Sequence, residues 1–432
     1  MKVKFYTLGC KVNQYESEAM LEAMLQGGFQ EAGDGKTADV VVVNSCAVTA
    51  TGAQKARQTL RRAKKQNPGA VMVLTGCWSQ AFPKEAEEFL DADIVLGTKN
   101  RSALLPHVLR YLSDKQRIVD IPPHEAGDKF EKMEVSAFHG RTRAFLKIED
   151  GCNRFCSYCI IPYARGRVRS KPLEDIRAEV HKLAAHGYRE VVLTGINLPA
   201  YGQDLGLHLC DAVETTCEEP GIRRVRLGSL EPEQLTEDVI ARLQRQEKLC
   251  PQFHLSLQSG CNATLRRMNR HYTAGEYRQI VQNLRAAFPN CAITTDIMVG
   301  FAGETEEEFQ ESLKFAEEIG FARVHVFAYS RRPGTKAYNA PGQVPEKVKE
   351  ERSRRMIEAT AATQRAFLEA QVGRTEEVLF EQPVAENVYE GYTGNYTPVR
   401  AASAVPLHGQ LLPVKLTKAD EPFCLGEIDK FF

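Results

Sequence analysis

Residues Gly151–Arg169 read GCNRFCSYCIIPYARGRVR, directly after the apolar run AFLKIED at 144–150. That run has the length and composition of a buried strand, so Cys152, Cys156 and Cys159 sit on the loop at its carboxyl end. Their spacing is C-x3-C-x2-C. Three thiolates this close repel one another unless positive charge lies between them. In a reducing compartment a metal ion or an iron–sulfur cluster supplies that charge. Structural zinc takes four ligands in a closed tetrahedron, but no fourth Cys adjoins the triplet, and the nearest histidines are His139 and His181. Three Cys on a cubic 4Fe-4S cluster leave one iron open to a substrate.

Outward from the triplet, residues 139–370 read as one α/β domain. Five more strand candidates follow AFLKIED: EVVLTGI, RVRLGSL, FHLSLQS, AITTDIMVG and RVHVFAY. Helical patterns lie near 173–187, 234–246, 273–287, 304–319 and 345–370. A full eight-stranded parallel barrel takes about 250 residues, so six strands in this span predict a partial (β/α)6 barrel. Its chemistry belongs at the carboxyl ends of the strands, where the triplet lies. Gly195, Asn197, Ser229, Gln258, Ser259 and Asp296 sit at or near those ends. Arg165, Arg167 and Arg169 alternate after the third Cys. A planar guanidinium suits carboxylate or phosphate, so a small-molecule carboxylate and a nucleic-acid backbone both remain open, with a plain surface loop as the alternative.

Residues 1–138 alternate between strand runs (VKFYTLG, DVVVVNS, AVMVLTG, DIVLGT) and helical stretches at 13–26, 50–66, 83–90 and 102–112, the pattern of an open parallel α/β domain. Residues 113–137 read as a linker with a Pro122-Pro123 turn. Cys10, Cys46 and Cys77 each lie at a strand end, where ligands gather in open α/β sheets. Three at equivalent places predict a second cluster, although any one alone would read as a small buried residue. The helix after Cys46 carries Lys55, Arg57, Arg61, Arg62, Lys64 and Lys65, with no acid from Ala47 to Gly69. It is either a solvated face or a phosphate-binding surface. Residues 371–432 read as short strands with Gly and Pro turns, a small antiparallel β-barrel. Tyr389, Tyr392 and Tyr396 there could stack bases or fill a core. This segment has five basic and nine acidic residues, which argues against a strong phosphate grip of its own.

Across 432 residues, Lys+Arg and Asp+Glu both number 56, so overall charge is silent on nucleic acid. No apolar run approaches the ~20 residues of a membrane span, and the N-terminus lacks a signal-peptide pattern. These features predict a cytoplasmic chain whose twelve cysteines are thiols or ligands rather than disulfides. Cys210, Cys217, Cys250, Cys261, Cys291 and Cys424 read as packing residues.

The triplet, with Tyr158 just before its third Cys, resembles the signature of radical S-adenosylmethionine (SAM) enzymes. The three-part layout resembles the methylthiotransferases of that group, with a C-terminal domain of the TRAM type. TLGCKVNQYESE at Thr7–Glu18, CNRFCSYCIIPYARGR at Cys152–Arg167, LSLQSGCNATLRRMNRHY at Leu255–Tyr272 and GYTGNYTPV at Gly391–Val399 are most similar to the bacterial members acting on threonylcarbamoyladenosine in tRNA. Phe301-Ala302-Gly303 and Phe327-Ala328-Tyr329 depart from the family in having Ala where Pro is usual.

The resemblance implies methylthiolation of carbon 2 of N6-threonylcarbamoyladenosine next to the anticodon, at tRNA position 37. It implies two 4Fe-4S clusters, on Cys152, Cys156 and Cys159 and on Cys10, Cys46 and Cys77. It further implies two SAM per turnover, a flavodoxin- or ferredoxin-type one-electron reductant, a sulfur source and the tRNA anticodon stem-loop as partner, for a monomeric enzyme. Tyr158, Gly195, Asn197, Ser229 and Gln258 are the expected SAM contacts. The basic helix, Arg165 and Arg167 are the expected RNA contacts, and no side chain is assigned as general base. An arginine such as Arg331 or Arg332 is expected to meet the threonylcarbamoyl carboxylate. The alternatives are methylthiolation of isopentenyladenosine or of a ribosomal protein, an electron-relay role for the second cluster, and a non-enzymatic RNA-binding protein with structural zinc.

Overall fold

A computed structural model describes residues 1–33, 35–138 and 140–428. His139 and the terminal Asp429 of the last strand candidate lie outside the described residues.

The first sheet comprises β1 (Lys2–Thr7), β2 (Gln30–Glu31), β3 (Val40–Ser45), β4 (Val71–Gly76), β5 (Ile94–Leu96) and β6 (Ile118–Asp120). Their order is β2-β1-β3-β4-β5-β6, with every pairing parallel. The runs VVVVNS and VMVLTG are buried throughout because helices cover both faces. α1 (Lys11–Gln26) and α5 (Leu104–Asp114) cover one face. α2 (Ala50–Gln66), α3 (Cys77–Ala81) and α4 (Pro83–Glu87) lie on the other. α2 starts where the Thr49 side chain accepts from the Gly52 amide at 3.0 Å, and it buries Ala53, Ala56, Leu60 and Ala63. The expected linker at 113–137 is corrected in part. Ile118–Asp120 forms the sheet's last strand, paired with β5 through Ile94↔Ile118 and Leu96↔Asp120. At three residues the strand is too short to show an alternation of its own.

The central domain has the expected partial barrel. β7 (Arg143–Lys147), β10 (Glu190–Thr194) and β11 (Arg224–Leu227) form one parallel group. β12 (Ser229–Leu230), β13 (Gln252–Leu255), β14 (Ala292–Val299) and β15 (Arg323–Ala328) form the next. The ladder breaks at Gly228, between β11 and β12. The returning helices are α7 (Leu173–Ala185), α8 (Leu209–Cys217), α9 (Glu237–Gln244), α11 (Ala274–Ala287) and α12 (Glu306–Ile319), and a short α10 (Asn262–Arg267) precedes α11. The triplet loop, which includes α6 (Ile161–Arg165), leaves and returns through a two-residue antiparallel ribbon. There β8 (Glu149–Asp150) pairs with β9 (Arg169–Ser170). Gly151 starts the loop at φ +90°, where a Cβ would lie 2.0 Å from the Arg167 carbonyl oxygen, so only glycine fits.

α13 (Glu346–Glu369) leads into a closed five-stranded barrel ordered β16-β17-β18-β20-β19. These strands are β16 (Thr375–Ala385), β17 (Val388–Tyr392), β18 (Pro398–Ala402), β19 (Leu411–Asp420) and β20 (Phe423–Ile428). The expected all-antiparallel arrangement needs one amendment, since β18 and β20 run parallel.

Candidate active site

Because β1, β3 and β4 are neighbours, their carboxyl ends bring Cys10, Cys46 and Cys77 to one place. The Asn13 Oδ1 lies 4.0 Å from Cys10 Sγ and 3.9 Å from Cys77 Sγ. A Cβ on Gly9 would lie 3.4 Å from Cys46 Sγ. Asn13 is pinned by its amide, which donates to the Leu8 and Ser45 carbonyls at 2.7 and 3.0 Å. Gly76 holds φ +99° before Cys77, and a Cβ there would strike Asn44 Oδ1 at 2.4 Å. Burial pushes the Cys77 thiol up to about 12 and raises that of Cys46. Both are therefore neutral thiols until a cation draws off the proton.

Cys152, Cys156 and Cys159 share one turn. The Cys159 amide donates to the Cys156 carbonyl at 3.0 Å, and the Cys152 amide to the Gly166 carbonyl at 3.0 Å. Burial raises all three thiols, that of Cys152 to about 12. Arg270 Nη1 donates to Cys156 Sγ at 3.4 Å and pairs with Glu231. It went unassigned in the sequence, though it lies inside the motif Leu255–Tyr272. Among the described residues, no group of three or more His, Cys, Asp or Glu is set to hold a single metal ion. A cubic cluster gives each thiolate its own iron and so spreads its ligands more widely.

Between the triplets lies a buried ionic hub that the sequence did not reveal. Arg165 is the correction. Expected to face RNA, it is 0% exposed, because the loop turns it inward against the first domain. Its Nε donates to Cys77 Sγ at 3.2 Å, its Nη1 to Glu16 at 2.8 Å and to Asp150 at 2.9 Å, and its Nη2 to Asn13 Oδ1 at 2.6 Å. Lys147 bridges the same two carboxylates, each at 2.7 Å, and Arg101 reaches Glu16 at 2.9 Å. Burial alone would raise the Glu16 carboxyl. Arg101, Arg165 and Lys147 overcome it and hold the group at about 2.

Arg167 is exposed, with its guanidinium 4.9 Å over the Phe155 ring. On α2, Lys55, Arg61, Arg62, Lys64 and Lys65 are exposed. Arg61 and Lys64 turn to Asp91, at 2.8 and 3.6 Å, and Arg57 lies 5.0 Å over Trp78. Lys55, Arg62 and Lys65 recur at helical spacing and form no ion pair among the described residues. Cys210, Cys250, Cys261, Cys291 and Cys424 are buried and Cys217 is half-buried, as packing residues would be.

The expected SAM contacts do not all meet. Gly195 and Ser229 line one cavity with Cys10. Asn197 is buried beside it, next to Glu149, a second residue the sequence left unassigned. Glu149 Oε2 accepts from the Asn197 amide at 2.7 Å, and a Cβ on Gly195 would lie 2.6 Å from that oxygen. Glu149 Oε1 and Asn197 Oδ1 are buried without a hydrogen-bond partner. Burial pushes the Glu149 carboxyl up to about 8. Two orphaned acceptors at the triplet's own strand end fit a cationic donor such as the ammonium of SAM. Tyr158 packs edge-on to Phe301 at 6.2 Å, and Gln258 turns the chain at φ +65°.

The cavity measures about 510 Å³ and runs from Cys10, Gly195 and Ser229 past His254, Asp296 and His325 to Arg323 and Tyr396. Lys11 lines it and is exposed to solvent there. Burial, then Arg143 and Arg226, lower its ammonium to about 8. Its floor comes from the C-terminal barrel. Tyr392 and Tyr396, two candidates for base stacking, stack on each other at 4.6 Å. Arg143 and Arg226 lie 4.9 and 4.7 Å over Tyr396, and Arg226 donates to the Gly394 carbonyl at 3.0 Å. Arg331 and Arg332 are not at this cavity. Arg331 donates to the Tyr338 carbonyl at 2.9 Å, and Arg332 lies 5.0 Å over Phe82.

The family model of the Radical SAM superfamily matches residues 146–316, and that of Uncharacterized protein family UPF0004 matches residues 2–97. In fold, the chain is similar to the radical S-adenosylmethionine methyltransferase TsrM from Kitasatospora setae. The TM-score is 0.58 at 13% identity, over 89% of this chain and 79% of that one. Such a domain around a cysteine triplet at the barrel mouth defines a radical SAM enzyme. In sequence, the Bacillus subtilis (strain 168) protein named threonylcarbamoyladenosine tRNA methylthiotransferase MtaB is 39% identical, over 98% of this chain and 96% of its own length. The Pelotomaculum thermopropionicum protein named tRNA-2-methylthio-N(6)-dimethylallyladenosine synthase is 34% identical, over 97% of this chain and 95% of its own. The chain belongs to the tRNA methylthiotransferase family. It is a transferase that works with SAM and 4Fe-4S clusters.

Proposed function

We propose that this enzyme methylthiolates carbon 2 of N6-threonylcarbamoyladenosine at position 37 of tRNA. The observation that carries the reading is that Cys10, from one cysteine set, lines a single cavity with Gly195 and Ser229 of the barrel whose first strand leads into the other set. Cys152, Cys156 and Cys159 would hold one 4Fe-4S cluster and Cys10, Cys46 and Cys77 the other. With SAM, two molecules per turnover, these groups supply the radical and sulfur chemistry that no side-chain acid or base can perform on an aromatic C–H bond. The rest is the work of the chain's own residues. Glu149 and Asn197 offer buried acceptors to the SAM ammonium. Arg165 ties Cys77 to the β8 end beside the other triplet. Tyr396, stacked on Tyr392, forms part of the cavity floor. Lys55, Arg62, Lys65 and Arg167 offer cations to the tRNA backbone. Turning the base out of the anticodon loop costs a few kcal/mol, because loop bases are already partly unstacked.

The reading divides the chain into a methylthiotransferase domain at 1–138, a radical SAM core at 139–370 and a TRAM-like domain at 371–432. It needs a one-electron reductant and a sulfur source, and it places a monomer in the cytoplasm. No helix among the described residues is long and apolar enough to cross a membrane. The test is nucleoside analysis of tRNA from a deletion strain. The 2-methylthio derivative of threonylcarbamoyladenosine should vanish while its precursor accumulates. Loss of the isopentenyl derivative instead would overturn the substrate assignment. Anaerobically reconstituted protein should hold about eight irons, falling to about four in a Cys152/Cys156/Cys159→Ala variant.

A further inference from the structure

We propose that Lys11 and Arg323 receive the carboxylate of the substrate's threonylcarbamoyl group inside the cavity beside Cys10. This rests on the threonylcarbamoyladenosine reading above and names the groups that enforce it. An isopentenyl substituent is wholly apolar, whereas a threonylcarbamoyl substituent ends in an anion. The lining has the character the anion needs. Besides Lys11 and Arg323 it holds His254 and His325, whose rings are 5.9 Å apart. The cavity's one acid, Asp296, lies 3.4 Å from His254 Nε2.

Several buried cations in this chain already hold a carboxylate: Arg165 with Glu16, Lys147 with Asp150, Arg226 with Glu190, Arg352 with Glu304. Lys11 and Arg323 have neither an ion pair nor a hydrogen bond among the described residues. Both are exposed to the cavity, so two cations there are available to an anion that arrives from outside. Their placement suits this substrate. Both line the cavity that Cys10 also lines. Arg323 opens β15, the edge strand of its sheet, beside the Tyr396 floor. An adenine near Cys10 would have its N6 substituent within the same cavity as Lys11 and Arg323. The SAM carboxylate is a poor rival for this pair, since the orphaned acceptors that fit SAM lie at the Cys152 strand end.

The test is equilibrium binding of the holoenzyme to two anticodon stem-loops. One carries threonylcarbamoyladenosine at position 37, and the other carries its neutral carboxamide. The wild type should prefer the carboxylate loop by about tenfold or more. Arg323→Ala should abolish most of that preference while leaving the carboxamide loop's affinity in place, and Arg323→Lys should restore part of it. Lys11→Met is the second variant, accepted only if its iron content matches the wild type. If it loses iron, Arg323→Ala alone decides. A preference that survives Arg323→Ala, or an equal loss on both loops, overturns the inference. A wild type that modifies only isopentenyladenosine loops would instead overturn the functional reading on which it rests.

Discussion

At the scale of a residue, Arg165 shows how far a side chain's surroundings can override its type. Three alternating arginines read as a phosphate-seeking loop, yet the first is fully enclosed and grips Asn13, Glu16 and Cys77 from one domain and Asp150 from another. Its partners Asn13 and Glu16 lie about 150 residues away in sequence, so no local pattern could announce them. Arg165→Leu would remove one of the cations that hold two buried carboxylates and leave the hub short of positive charge. It should destabilise the protein by about 3–5 kcal/mol in anaerobic denaturant unfolding, with Arg165→Lys in between because it keeps the charge and loses the fork. Glu16 gives the pH counterpart. Its folded value near 2 lies below the usual carboxylate value of 4.5. Its contribution is therefore complete above about pH 4.5 and is lost as the pH falls toward 2. Melting temperature should drop across that window in the wild type, and less steeply in Glu16→Gln. The six proposed cysteine ligands were legible because each stands at a strand end or inside a tight spacing. Glu149 and Arg270 were not, because one is marked by a buried oxygen without a partner and the other by a contact to Cys156 more than a hundred residues away.

At the scale of an element, the strands were readable wherever both faces are buried. VVVVNS and VMVLTG announce themselves as continuous apolar runs, whereas the three-residue β6 does not. α8, at nine residues, is too short to stand out as a helical pattern. The basic helix is the instructive case. A run of one sign suggested a uniform surface, but tertiary contacts divide it. Asp91 and the rings of Trp78 and Phe89 engage Arg57, Arg61 and Lys64, leaving Lys55, Arg62 and Lys65 as the free stripe. A Lys55/Arg62/Lys65→Ala variant should bind tRNA more weakly at low salt. The slope of log K against log salt should shrink by about 2 if all three meet phosphates. Its iron content should be unchanged, and an unchanged slope would remove this face from the RNA contact.

At the scale of the whole molecule, the three-part order was legible from the succession of patterns, but the way the parts close on one another was not. Lys11 comes from the first part, the barrel strands from the second and Tyr396 from the third, and only folding brings them to one cavity. The base-stacking role considered for Tyr392 and Tyr396 gave way to a packing role, since their rings lie against each other beneath Arg143 and Arg226. That arrangement has a mechanical corollary. The small C-terminal barrel is the stopper in the bottom of the reaction vessel, seated by arginines that belong to the vessel's own wall. Displacing it would uncover Arg143 and Arg226 and open the cavity at Tyr396 to solvent.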